Sequence, residues 1–250
     1  MVDIINSSTI QAPSDGVSQG IYEESSTQQG NVGALRELAD GRRFRYAYFA
    51  SATNRGLLVS QDVSATAVVE IDDKCTAAAI GATTVTITDA STLGSATADQ
   101  YAGGYLHITD DAGEGYQYRI RGNTAASSNA VDFSLYDGLV VALTTASDVA
   151  ITGNLYNSVH GATAGTDYII SGVTARTMQA SYYGWVQTTG VATILADAGT
   201  AIAIGDNLTL SDGVAGAVQL KDAETEPLVG QALFAPDDGG HVGVRLYGLE

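Results

Sequence analysis

Tyr183-Gly184-Trp185-Val186-Gln187, Val191-Ala192-Thr193-Ile194-Leu195, Asn207-Leu208-Thr209-Leu210, Ala217-Val218-Gln219-Leu220, the run from Leu228 to Phe234 and Val242-Gly243-Val244-Arg245-Leu246 succeed one another through the last third of the chain. Each is short and alternates in polarity, as half-buried β-strands do. Gly190, Gly205, Gly213, Gly216, Gly230, Gly240 and Gly243 punctuate them and predict turns or bulges. Nothing in the stretch resembles a reaction centre, so the expectation is a protein whose surface is its function.

The same grammar continues upstream. In Ala34-Leu35-Arg36-Glu37-Leu38-Ala39-Asp40-Gly41-Arg42-Arg43-Phe44-Arg45-Tyr46-Ala47-Tyr48-Phe49, the Asp40-Gly41 pair predicts a hairpin with a type I′ turn. Its second strand is expected to place Phe44, Tyr46 and Tyr48 on one face, toward a core, and Arg43, Arg45 and Phe49 on the other, with the arginines outward. Leu57 to Gln61 and Ala67 to Ile71 read as further strands, followed by Thr83–Thr88, Tyr105–Thr109, Tyr116–Arg121, Val131–Tyr136 and Val149–Thr152. Residues 76–82 and 139–146 have helical propensity but are too short to stand alone in water.

The fold class expected is therefore all-β, with short-stranded antiparallel barrel or sandwich domains behind an extended N-terminal arm. Residues 1–32 are polar, with isolated Ile4, Ile5, Ile10, Ile21 and Tyr22 that cannot build a core. Two readings stand for them: disorder, or an arm that orders along a neighbouring subunit. Residues 76–175, richer in threonine and aspartate, read as a second β-domain inserted into, or following, a domain made of 33–75 and 176–250.

Composition narrows the function classes. At 250 residues with 45% hydrophobic content, the chain has ample material for a core. Eleven basic against 28 acidic residues give a net charge of -17, which repels a phosphate backbone and disfavours nucleic acid. Five of the arginines, Arg36, Arg42, Arg43, Arg45 and Arg55, fall close together in sequence and predict either pairing with surface carboxylates or a docking patch for an acidic partner. The single cysteine, Cys75, excludes an internal disulfide and fits a reducing compartment. No run approaches the length of a membrane span, and the first residues lack the pattern of a secretion signal.

His107, His160 and His241 share no metal-ligand spacing, the aspartate pairs match no calcium loop, and the serines, Ser60 among them, have no neighbouring base in sequence. Loop glycines such as Gly113-Glu114-Gly115 do not open a helix, so a phosphate cradle is not expected. No catalytic residue, cofactor or metal is expected. Thirteen tyrosines against four phenylalanines suit either an interface or an ordinary sheet rim.

Three segments resemble structural proteins encoded beside the major capsid protein in tailed bacteriophages, of the marine phage and cyanophage type. Glu37-Leu38-Ala39-Asp40-Gly41-Arg42-Arg43-Phe44-Arg45-Tyr46-Ala47 is similar to their opening hairpin. Tyr101-Ala102-Gly103-Gly104-Tyr105-Leu106 with Gly113-Glu114-Gly115-Tyr116-Gln117-Tyr118-Arg119-Ile120 resembles a segment of their middle portion. Tyr183 to Ala196, Ile204-Gly205-Asp206 and Gly230-Gln231-Ala232-Leu233 resemble the C-terminal β-domain of small head-decoration, or cement, proteins. The resemblance implies a non-catalytic β-rich protein, a homotrimer, made in the host cytoplasm and bound to the outside of an icosahedral capsid through the major capsid protein. The residues expected to meet the capsid are Ile4, Ile5, Ile10, Ile21, Tyr22, Arg36, Arg42, Arg43, Arg45 and Arg55. A head fibre or glycan-binding virion protein is the alternative.

Overall fold

The computed structural model describes residues 17–61, 69–166, 169–199, 201–237 and 239–249. Its strands, in chain order, are β1 (Leu35–Glu37), β2 (Arg43–Phe49), β3 (Leu58–Gln61), β4 (Val69–Ile71), β5 (Thr84–Thr88), β6 (Tyr105–Asp110), β7 (Gln117–Asn123), β8 (Ala130–Leu135), β9 (Asp148–Thr152), β10 (Val159–Gly161), β11 (Ile170–Thr174), β12 (Tyr182–Leu195), β13 (Asn207–Leu210), β14 (Val218–Leu220), β15 (Gly230–Ala232) and β16 (His241–Tyr247). The protein is all-β, as the alternation predicts, and no described residue is helical.

Two compact units form, one from residues 1–61 and 155–250, the other from 62–154. The second is an insertion between β3 and β10. Its boundaries lie upstream of those read from composition, 76 and 175, because pairing and not threonine content sets them. β10 and β11 belong to the first unit through β3, whereas β4 pairs with β9 of the second.

In the first unit, β2, β10, β3, β11 and β12 pair in turn, and β12 pairs back onto β2, closing a small barrel. β12 then runs on into a second ladder, β12-β16-β15-β13-β14, which a bridge between Ala196 and Val218 returns to its start. The sequence predicts two strands broken at Gly190; the structure has one of 14 residues. A register shift between Gln187 and Thr189 and the left-handed Gly190 (φ 91°) let the strand bend without ending. There it exchanges partners, since Thr189 faces both Arg43 of β2 and Tyr247 of β16.

Alternation along β2 serves two cores instead of one. Phe44 and Tyr46 pack with Trp185, Val17 and Ile21, while Ala47 and Phe49 on the opposite face pack with Val59, Val159 and Val186. The strand is thus covered on both sides: Phe49 is buried and Arg45 half-buried, not outward-facing as expected, whereas Arg43 pairs with Glu37 at the surface. The hairpin before it also differs from a type I′ turn. Leu38 N–H bonds to Arg42 O, Gly41 N–H bonds to Leu38 O, and only Gly41 (φ 83°) is left-handed, which makes a three-residue loop with a glycine bulge.

In the second unit the order is β4-β9-β6-β7-β8-β5. Residues just beyond β4 then pair with β5, through Thr76 N–H to Thr86 O and Thr88 N–H to Lys74 O, so this ladder also closes. Val85, Ile87, Leu106, Ile120, Phe133 and Val149 alternate inward to fill it. The segments of helical propensity do not form helices. They lie antiparallel, Ala78 and Leu143 exchanging both backbone bonds at 2.9 and 3.0 Å, which satisfies the polar groups that a helix this short would leave open.

Cys75 sits in this core, and burial pushes its thiol up to about 11, away from the reactive thiolate. At pH 8 a thiol reagent is expected to label Cys75 only as the unit opens. Phe133→Ala, losing roughly 3–5 kcal/mol by leaving a cavity, should speed labelling by about a hundredfold or more. Wild-type labelling at the rate of a free thiol would contradict the placement.

Candidate docking cleft

Trp185 and Tyr46 each bring a polar hydrogen into an apolar cluster, where it needs an acceptor. Residues 17–25 supply the acceptors by strapping across the outer face of β2 and β12. Gln19 O accepts from Trp185 Nε1 (3.0 Å) and from Arg36 Nη1 (2.6 Å), and Gln19 Oε1 accepts from the Tyr46 hydroxyl (2.8 Å). Gln19 Nε2 donates to Tyr183 O and Glu23 O, and Arg36 also donates to Val17 O. The Arg36 guanidinium lies 4.0 Å over the Trp185 ring, so it closes the stack Tyr48–Tyr183–Tyr46–Trp185. Farther along, Glu24 holds Arg176 (2.9 Å) and the Gln179 backbone and side chain, and Ser25 bridges to Tyr183.

Residues 17–25 are therefore part of the first unit, a correction to the arm expected over 1–32; Ile4, Ile5 and Ile10 lie outside the described residues. Ile21 is buried under the strap and Tyr22 beside it is exposed. Arg36 and Arg45 are committed to the fold, Arg45 donating to Gly33 O (3.0 Å) and stacking over Tyr156 (5.7 Å). Arg43 pairs with Glu37 at 3.2 Å, on the flank of the hairpin. Three of the residues singled out from sequence, Tyr22, Arg42 and Arg55, do converge.

They meet on a cleft of about 360 Å³ whose remaining lining includes Gly56, Val173, Thr174, Gln187, Ala192, Thr193 and His241. The bend in β12 builds it. β2 stays with β12 only as far as Thr189, and the chain next touches that edge where Leu195 N–H bonds to Gly56 O, so a gap opens between. Arg42 stands on one wall because its stem packs against Gly190, where a Cβ would come within 2.8 Å of Arg42 Cγ. Burial works against the Arg42 charge but is outweighed by hydrogen bonds with Tyr22 and Asp40, the latter at 2.7 Å, which hold it firmly cationic. On the other wall Arg55 is exposed, and the His241 ring lies against Gly56, where a Cβ would come within 3.0 Å of it. No carboxylate lines the cleft among the described residues.

His241 was not legible as a site residue, since its only sequence signal is a glycine pair before it. A second pairing is equally non-local. Register places His160 opposite Ser60, with Nδ1 3.2 Å from the serine Oγ. Ser60 is 1% exposed, so its oxygen is closed to a substrate carbonyl and the pair reads as a strand-to-strand bond. Among the described residues no three His, Cys, Asp or Glu side chains gather into a metal-binding group. The fold and cleft thus define a two-unit all-β protein with a cationic concavity on an acidic chain. Comparison with protein-family models, curated proteins and solved structures finds no match to it.

The strap is testable by itself. Arg36→Met keeps the apolar stem but removes both carbonyl bonds, and should cost about 2 kcal/mol while accelerating limited proteolysis within residues 17–25. Unchanged cleavage would mean that Arg36 does not secure the strap.

Proposed function

We propose that this chain is a non-catalytic structural protein of a tailed-phage virion that decorates the outer surface of the capsid and stiffens it. The observation that carries the reading is the convergence of Tyr22, Arg42 and Arg55, three residues expected to meet the capsid, with His241 on one cleft free of carboxylates. The partner is the major capsid protein, met at an acidic surface. The acidic remainder of the chain faces solvent, where like charge limits aggregation between neighbouring copies. A homotrimer would multiply a weak single contact into useful avidity. The resemblance of the hairpin, middle and C-terminal segments supports the same assignment.

One observation favours the alternative of glycan binding. Register and a backbone bond align Tyr105, Arg119 and Tyr136 across the outer face of β6, β7 and the end of β8, with both tyrosines exposed. The Arg119 guanidinium, 5.0 Å over the Tyr136 ring, already occupies one aromatic face, which leaves capsid decoration as the stronger reading.

Cosedimentation with expanded and unexpanded capsid shells tests the proposal. Binding to expanded shells is expected, weakening with salt as screening requires and falling about tenfold or more in Arg42→Glu/Arg55→Glu, with Arg55→Glu alone, at an exposed position, expected to weaken binding at a nearly unaltered melting temperature. Absence of binding to either shell, with a signal on a glycan array instead, would transfer the assignment to the alternative.

A further inference from the structure

The cleft contains an unpaired length of strand. In an antiparallel ladder, successive residues direct both backbone polar groups to alternate sides. Thr188 O accepts from Leu249 N–H and Ala196 N–H donates to Gly240 O, so even-numbered residues of this stretch address the β16 side. Leu195 N–H donates instead to Gly56 O, so odd-numbered residues address the cleft. Val191 and Thr193 therefore point their N–H groups into the gap between Arg43 of β2, which faces Thr189, and Gly56, and Val191 is 55% exposed.

Their carbonyls are differently placed. Gln187 Nε2 donates to Val191 O at 2.9 Å, and Thr193 O turns toward Gly56, lying 3.2 Å from where a Cβ on that glycine would sit. The edge thus presents donors while its acceptors are engaged or shielded. Arg42 with Tyr22 stands at one end of it, and Arg55 with His241 at the other. An occupant must bring carbonyl oxygens in extended geometry together with negative charge at its flanks. Nucleic acid carries the charge but no strand backbone, and the net charge of -17 repels it.

We infer that the open edge of β12 at Val191–Thr193 is a strand-pairing slot for an extended acidic segment of a partner protein, whose backbone completes the ladder and whose carboxylates meet Arg42 and Arg55. Main-chain pairing of this kind supplies affinity, and flanking side chains supply selectivity. The slot admits about three residues, short enough that the exposed edge does not template aggregation. The inference rests on the docking reading for the identity of the partner, not for the mode of binding.

The test uses the full chain and a labelled peptide of alternating Glu and Val, followed by fluorescence anisotropy. Binding is expected, with slowed hydrogen exchange at the Val191 and Thr193 amides. A Lys/Val peptide should not bind. A Glu/Val peptide methylated on the backbone nitrogens of one edge keeps its charge but loses hydrogen-bond donors and the close approach of a strand, and should bind about tenfold more weakly or worse. Thr193→Pro removes one cleft-facing donor and no ladder bond, a substitution tolerated at sheet edges, and should weaken binding about five- to tenfold. Arg42→Ala/Arg55→Ala should do so by tenfold or more. Failure of the Glu/Val peptide to bind, equal binding of the methylated peptide, or unchanged exchange at Val191 and Thr193 would overturn the slot. Shell binding that persists without peptide binding would overturn the slot alone, whereas peptide binding without shell binding would sustain it and overturn the capsid reading.

Discussion

The first unit depends on one strand belonging to two closed ladders. β12 carries Trp185 and Val186 into the small barrel and its outer cluster, and Ala192 and Ile194 into the second core, on a single run of backbone. A straight strand could not do this, because the ladders curve around different centres. The register shift after Gln187 and the left-handed Gly190 provide the bend. Thr189 lies between Arg43 of β2 and Tyr247 of β16, so β2 leaves one edge of β12 where β16 takes up the other. β16 follows β11 on one edge, while on the other nothing replaces β2 until Gly56 meets Leu195. The cleft is thus a geometric consequence of the shared strand.

The outer face of the barrel shows how polar groups dictate the path of a segment with little hydrophobicity of its own. Val17 and Ile21 alone would hold residues 17–25 weakly, but an indole N–H and a phenol already committed to burial each cost of order 1–3 kcal/mol if left unsatisfied. Gln19 answers both, and Arg36 binds the same carbonyl from the opposite direction while capping the Trp185 ring. The strap is specified by donors in need of acceptors more than by apolar area.

That account also explains what was readable in advance. Asn207–Leu210 has the bounds its alternation predicts, and β5, β6, β8 and β16 lie within a residue of theirs, because a half-buried strand writes its period directly into sequence. The strap was hidden because its fixing bonds join Gln19 to Tyr183 and Trp185, more than a hundred positions away. Gly190 reads as a strand end, yet a glycine marks a bend within a strand as readily as a turn between two. The insertion boundaries escaped for the same reason as the Ser60–His160 pair: register between distant strands fixes them, and composition does not. Of the candidate cleft, Tyr22, Arg42 and Arg55 were visible as residue types near one another in the chain, while His241 and the edge of β12 required the topology.

In the docking proposed above, charge would set the selectivity of the cleft. Of the arginines clustered in sequence, Arg36 and Arg45 are used within the fold, and Arg43 is paired with a carboxylate on the flank of the hairpin. Arg42 has its own carboxylate, yet Asp40 does not line the cleft. Long-range attraction therefore cannot be what draws an acidic partner to a chain of net charge -17. At physiological salt, however, charges more than about 8 Å apart are largely screened, so a carboxylate near the cleft responds chiefly to Arg42, Arg55 and the edge amides. In that proposed docking, an acidic protein with a cationic concavity would give up association rate and gain orientation, a favourable exchange where many identical copies must each settle in the same pose.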